Sequence, residues 1–208
     1  MENNEMKQPE TNEELPVKEK KQSMKTVMLT YLHDLVFLLA GILLVLLLLF
    51  RVVIVSGPSM NNTLVDGDYI LLLGNVFYHN PKQGDIIVAS KDSFKDGEPI
   101  IKRVIATEGQ EVDIDFDAGI VYVDGIALDE PYTLTPTNLE EGVSFPLTVD
   151  EGCIFAMGDN RNKSKDSRNP EIGQIDTREI LGKAIFLIFP GTNGGVTKPQ
   201  FNRIGAVS

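Results

Sequence analysis

The pattern of apolar and polar positions divides the chain into three stretches. Residues 1–28 are polar, rich in Glu, Lys, Asn and Gln, and carry Pro9 and Pro16. Such a stretch buries too little apolar surface to offset the entropy of ordering, so a disordered tail is predicted. From Leu35 to Phe50 no residue is charged, and residues 43–49 are almost pure hydrocarbon. Arg51 interrupts, and Val52-Val53-Ile54-Val55 continue the apolar run. Residues 35–55 would make about 31 Å of helix at roughly 1.5 Å per residue, close to a hydrocarbon core of about 30 Å. A transmembrane anchor is therefore predicted over 29–55, with Arg51 reaching back to the headgroups. A cleavable secretory signal would show a shorter apolar core followed by small residues. Here Arg51 and branched residues follow instead.

Past residue 56 the pattern changes. Short runs rich in Ile, Leu and Val at 69–73, 85–89 and 100–105 are bounded by Gly, Pro or Asp. Residues 112–114 and 120–123 read as a hairpin around Ala118-Gly119, and Asp124-Gly125 is a further tight-turn signal. With 154–157 and 184–189 the set comes to seven or eight strands. No long helical period interrupts them, so the expected fold is mainly β. A folded-over antiparallel β-sheet domain over 56–208 would follow one N-terminal transmembrane helix.

Charge sets the orientation and narrows the partners. Lys18, Lys20, Lys21 and Lys25 precede the span, with only Glu19 opposing them nearby. The positive-inside bias then puts the tail in the cytoplasm and residues 56–208 outside. The formal charge of −11 argues against nucleic acid as a partner, because phosphate binding needs a basic surface. One cysteine, Cys153, excludes an intrachain disulfide. The run Asp113-x-Asp115-x-Asp117 fails as a calcium loop, because Ala118 holds the turn-glycine position and Asp124 replaces the closing Glu, so no metal site is expected.

Three clusters carry candidate chemistry. In Ser56-Gly57-Pro58-Ser59-Met60 the Gly-Pro pair forces a turn just past the anchor, which can present the Ser59 hydroxyl. From this stretch alone Ser59 also reads as a linker serine. Lys102 lies in an apolar strand and shares a face with Ile100 and Val104, while Arg103 shares the other with Ile101 and Ile105. At least one cation must point inward. Lys102 on an edge strand, snorkelling to water, is one reading. The other is a buried amine, whose desolvation disfavours the ammonium form and leaves a base able to activate a serine. His33 and His79 are the only histidines; the first borders the span and the second sits in a turn-like stretch. Lysine is the better candidate base. Finally, residues 158–168, Gly-Asp-Asn-Arg-Asn-Lys-Ser-Lys-Asp-Ser-Arg, form a dense polar loop after an apolar strand. It reads either as a solvated loop or as an ion-paired scaffold, with Asp166 against Arg161 or Arg168.

These clusters, in this order after an N-terminal span, resemble the bacterial type I signal peptidases (leader peptidases), in their short Gram-positive form. Ser56 to Met60 resembles the nucleophile box, Gly67-Asp68-Tyr69-Ile70-Leu71 the strand box, and Lys102-Arg103-Val104-Ile105 the lysine box. Gly158-Asp159-Asn160-Arg161, Ser164 and Asp166-Ser167-Arg168 resemble the last box, and Gly182-Lys183-Ala184 the closing strand.

The resemblance implies a serine endopeptidase with a Ser/Lys dyad that removes signal peptides from exported preproteins, without a cofactor. Ser59 would be the nucleophile and Lys102 the general base. Ser164 would orient the Lys102 amine, and the Ser59 N–H would hold the oxyanion. Asp159, Arg161, Asp166 and Arg168 would be structural, and Met60 follows the nucleophile. Gly57 stands where some relatives place a serine whose hydroxyl is a second oxyanion donor, so that donor is missing. Expected partners are preproteins, the lipid bilayer and the neighbouring export translocon. Asn62 replaces a common proline, and Gln110 the usual Asp after Gly109. A factor dedicated to pilus or surface-protein assembly is the alternative. A self-cleaving Ser/Lys repressor would need a DNA-binding domain where this chain has its span.

Overall fold

In the computed structural model, the described residues are 23–91, 93, 94, 97–192 and 199–207. Most of the predicted tail lies outside them. Helix α1 spans Met24–Leu49, and none of its residues is buried. Its 26 residues correspond to about 39 Å at roughly 1.5 Å per residue, enough to cross a bilayer.

The predicted span thus starts and ends too late. Residues 24–28, read as tail, are helical, and Val52-Val53-Ile54, read as helix, lie in strand β1 (Phe50–Ile54). The reason is local. Unbranched Leu dominates up to Leu49, whereas the β-branched run after Arg51 loses little in an extended backbone. Hydropathy alone cannot separate the two states. Val53 is half-buried, while Val52 and Ile54 stay exposed.

The strands that follow are β2 (Tyr69–Gly74), β3 (Ile86–Ala89), β4 (Ile100–Thr107), β5 (Glu111–Asp115), β6 (Ile120–Val123) and β7 (Ile126–Ala127). Then come β8 (Leu147–Thr148), β9 (Cys153–Met157), β10 (Ile175–Asp176), β11 (Ile180–Phe189) and β12 (Gly205–Ala206). Every predicted strand is present. The additional ones, apart from β1, are two-residue pairings too short to leave a periodic signal. One antiparallel sheet runs in the order β1-β2-β11-β3-β4-β9-β10, with β12 on β11; the second runs β7-β6-β5-β8. The fold is mainly β, as expected. Asp124 and Gly125 both take positive φ, 52° and 74°, which is the mirror-image turn that closes a two-residue hairpin between β6 and β7.

Strand β4 is central, flanked by β3 and β9, and only its last residue escapes full burial. One face packs Ile101 with Ile86, Val88 and Leu72; the other packs Ile100 and Val104 with Ile87, Ala89 and Ile180. A third cluster joins the sheets, with Ile105, Phe155 and Met157 against Val112, Ile114 and Val121. Lys102 and Arg103 are therefore both buried, at 3% and 2% exposure, where the sequence required only one to be. The edge-strand reading of Lys102 is excluded. Gln110 ties the β4–β5 turn together: its Oε1 accepts from Thr107 N at 3.0 Å and its Nε2 donates to Asp124 at 2.9 Å.

Phe155 is fully buried in the third cluster and meets Phe145 edge-on at 5.8 Å. Phe155→Ala is expected to cost about 3–5 kcal/mol of stability, from lost transfer energy plus a residual cavity. Denaturant unfolding of the detergent-solubilised protein measures this, and a cost below about 1 kcal/mol would contradict the packing described.

Candidate active site

The site begins with the loop from Val55 to Asp68, whose neck is closed by Val55 N to Asp68 O (2.8 Å) and Gly67 N to Val55 O (2.9 Å). Gly57 has φ +87°, a conformation that a side chain at this position would strain, and its N–H donates to Asp66 Oδ1 at 2.8 Å. Asn61 N donates to Pro58 O at 3.1 Å, so Ser59 sits in a tight turn. Met60 and Leu64, each 1% exposed, fix that turn to the core. Ser59 itself stays half-buried at the surface of the loop.

Strand β4 delivers the amine. Lys102 Nζ lies 3.0 Å from Ser59 Oγ and 3.0 Å from Ile101 O. Both groups face a cleft of about 430 Å³, whose walls include Val53, Val55, Phe94 and Ile101. A hydroxyl and an amine thus meet beside a largely apolar groove.

The polar stretch after β9 clamps this pair from behind. Asn160 N donates to Ser59 O at 3.0 Å, and Asn160 Nδ2 to Pro58 O at 3.1 Å. Asp159, fully buried, takes a bidentate pair from Arg103, with Nε and Nη2 each at 2.9 Å. The same carboxylate accepts from the Thr63 hydroxyl. Arg103 also stacks on Tyr132, 3.9 Å from the ring centroid, and donates to Gly84 O at 2.9 Å.

Asp166 takes Arg168 Nε and Nη2, both at 2.8 Å, and accepts Gly158 N at 3.0 Å. Of the two arginines offered by the sequence, Arg168 is its partner. Arg161 turns instead to Glu130, with both contacts at 2.6 Å, and to Gly158 O at 3.1 Å. Burial pushes the Asp166 carboxyl upward, but hydrogen bonding and charge from Arg168 outweigh it and hold the pKa below its ordinary value.

Gly158 has no room for a Cβ, because Ser164 Oγ and the Ser59 carbonyl would collide with it. Ser164 is brought beside the site, yet its buried Oγ has no hydrogen-bond partner among the described residues. The expected bond from Ser164 to the Lys102 amine is not formed. His33 lies in α1 and His79 on an exposed loop, and neither lines the cleft.

The cleft is thus lined by Ser59, Lys102, Gly57 and Met60, whereas Asp159, Arg161, Asp166 and Arg168 are buried in the ion-paired loops behind it. Sequence reasoning passed over Asn160, Asp66, Arg103 as the Asp159 partner, and Glu130. Asn160 stood inside a motif already singled out. Glu130 gave no signal, since its partner is 31 positions away.

Comparison with known proteins gives the class. The family model for signal peptidase, peptidase S26, matches residues 28–189. The chain is 32% identical over 180 residues to a signal peptidase I of Bacillus licheniformis, covering 83% of this chain and 94% of that one. It is 36% identical over 168 residues to a probable signal peptidase I-1 of Synechocystis, covering 76% and 82% of the two chains. A crystal structure of a signal peptidase I from Enterococcus faecalis superposes with a TM-score of 0.41 at 29% identity, covering 50% of this chain and 96% of that one. The chain belongs to the signal peptidase family, S26.

The Asp166–Arg168 pair carries a pH signature. A carboxylate whose folded pKa is depressed stabilises the fold above its ordinary value of about 3.9, and that contribution is lost as pH falls through the folded value. Denaturant midpoints of the wild type are expected to drop below about pH 4, and those of Asp166→Asn to fall less steeply over the same range. Parallel curves would remove Asp166 from the account.

Proposed function

We propose that the chain removes N-terminal signal peptides from exported preproteins by acyl transfer, with Ser59 as nucleophile and Lys102 as general base. The observation that carries this reading is the 3.0 Å separation of Lys102 Nζ and Ser59 Oγ at a half-buried cleft. An uncharged amine there takes the hydroxyl proton as Oγ adds to the scissile carbonyl. The Ser59 N–H stabilises the developing oxyanion. Collapse releases the mature N-terminus, which takes its proton from Lys102, and leaves an ester on Ser59. Lys102 then deprotonates a water that hydrolyses the ester. Hydroxyl and amine supply every proton transfer, so the reaction needs no cofactor.

Ser164 is assigned the role of orienting the amine once substrate has closed the cleft. Its unpaired, buried Oγ supports that assignment. Gly57 offers no hydroxyl to the oxyanion, so backbone or water serves as any second donor. Asp159, Arg161, Asp166 and Arg168 hold the loops, and Met60 anchors the turn. The apolar groove walls suit small uncharged side chains before the cut.

The apolar helix supports an anchor in the cytoplasmic membrane, and the lysines that precede it support a tail inside and a β domain outside. The sheet adds support. Val52, Ile54, Tyr69, Phe186 and Phe189 are exposed on one face of β1–β2–β11, in register at Ile54/Tyr69/Phe189. Such a face suits a lipid surface near the translocon, where preproteins emerge. Retention of both Ser59 and Lys102 favours a peptidase over a non-catalytic assembly factor.

Ser59→Ala and Lys102→Ala are each expected to lower preprotein cleavage by about 10³-fold or more while the protein still inserts and folds. Sequencing the product's new N-terminus checks the cut, and near-normal turnover by either variant would remove that residue from the mechanism. The rate is also expected to climb with rising pH as the lysine sheds its proton. A profile level from pH 5 to about 10, near the ordinary lysine value, would rule out an amine base.

A further inference from the structure

The family match ends at residue 189, yet the chain folds back beyond it. In β12, Ala206 and Gly205 pair with Phe186 and Leu187 of β11, and Val207 N donates to Ile185 O at 3.1 Å. Phe201 meets Phe189 edge-on at 5.5 Å. These contacts bring Arg203 against the loop that carries Ser59.

Arg203 grips that loop at two points. Its Nη2 and Nη1 donate to Asp68 Oδ2 and Oδ1 at 2.6 and 3.0 Å, and Nη2 also donates to Thr63 O at 3.2 Å. Asp68 is fully buried and accepts two more bonds, from Val65 N at 2.8 Å and Gly191 N at 2.7 Å. Four donors saturate its carboxylate. Gly191 lies so close to the backbone of Asp66 and Gly67 that a Cβ would not fit.

Thr63 is therefore held from two sides, its hydroxyl by Asp159 and its carbonyl by Arg203. Asp159 and Asn160 form one wall of the nucleophile loop. Arg203 forms the other. Removing that wall leaves a buried Asp68 charge without its guanidinium and lets residues 61–68 relax, with Ser59 on the same loop.

We propose that the C-terminal segment is a positioning element for the nucleophile loop, with Arg203 as the positioning residue that keeps Ser59 Oγ against Lys102. It acts through Asp68 and Thr63 and does not touch substrate. The inference rests on the reading of Ser59 as nucleophile.

The test uses the full chain in detergent with a preprotein substrate, comparing wild type, Arg203→Ala, Arg203→Lys and Ser59→Ala. For Arg203→Ala, kcat is expected to fall about tenfold to a hundredfold with KM within about twofold, because misplacing a reacting group by about 1 Å can cost that much. Added guanidinium ion should restore part of the rate, and Arg203→Lys should fall between the two. Wild-type kcat in Arg203→Ala, or a loss that merely tracks the unfolded fraction, overturns the proposal. If Arg203→Ala does not fold, Arg203→Lys decides: a lowered kcat at unchanged KM supports the proposal, and wild-type kcat overturns it. Full activity in Ser59→Ala would strike the underlying mechanism instead. An inactive Ser59→Ala beside a fully active Arg203→Ala would strike the positioning role alone.

Discussion

A lysine amine held against a serine hydroxyl, 43 positions apart in sequence, is the contact on which the rest of the structure depends. Neither partner is well placed by its own segment. Ser59 stands on a loop, where backbone freedom is greatest, and Lys102 on a strand whose neighbours are apolar. Burial alone would expel the amine toward water, and a mobile loop would leave it with no hydroxyl to meet. Strand β4 solves the first problem, because β3 and β9 cover it on both sides. The loop is solved differently, by polar contacts: Asn160 on Pro58 and Ser59, and Asp66 on Gly57.

The choice of ions rather than hydrocarbon behind the cleft has a physical reading. Buried salt bridges are poor stabilisers, since desolvating both charges offsets most of their attraction. What they add is direction. Arg103 meets Asp159 through two parallel bonds, and Arg168 meets Asp166 in the same way, so each pair fixes distance and orientation together. Packing of Leu or Ile would leave the loops free to slide. Arg103 and Lys102 are neighbours on β4 with opposite faces, so the strand that supplies the amine also anchors Asp159, next to Asn160. Registry of Lys102 with the Ser59 loop then follows from one strand.

Much of this was legible beforehand, and the residues show why. Alternation in 100–105 required a cation to face inward, and the Ser-Gly-Pro-Ser turn could present a hydroxyl, though by itself it also read as a linker. The Asp-Gly turn at 124–125 was readable because only positive φ closes so tight a hairpin. Pairings across long separations were not readable. Glu130 and Arg161 carry no shared local pattern, and the choice of Arg168 over Arg161 for Asp166 depends on how the loop after β9 curls. Ser164 was expected to orient the Lys102 amine, yet its buried hydroxyl has no partner among the described residues.

The boundary at Leu49 is the instructive failure, because its cause bears on function. Val52, Ile54 and their neighbours were apolar enough to pass for membrane, and a strand facing water on one side would normally alternate with polar residues. Here only Arg51 breaks the run, and Val52 and Ile54 remain 57% and 54% exposed. An uncovered apolar face costs solubility unless it meets something apolar. Ser59 is the tenth residue after Leu49, so it can lie no more than about 36 Å of extended chain beyond the helix end. So short a tether, beside a strand whose outer face is apolar and exposed, is what the proposed reaction at a lipid surface requires of Ser59. The side chains that make β1 look like membrane span, Val52 and Ile54, are the same ones that give the sheet its exposed apolar face.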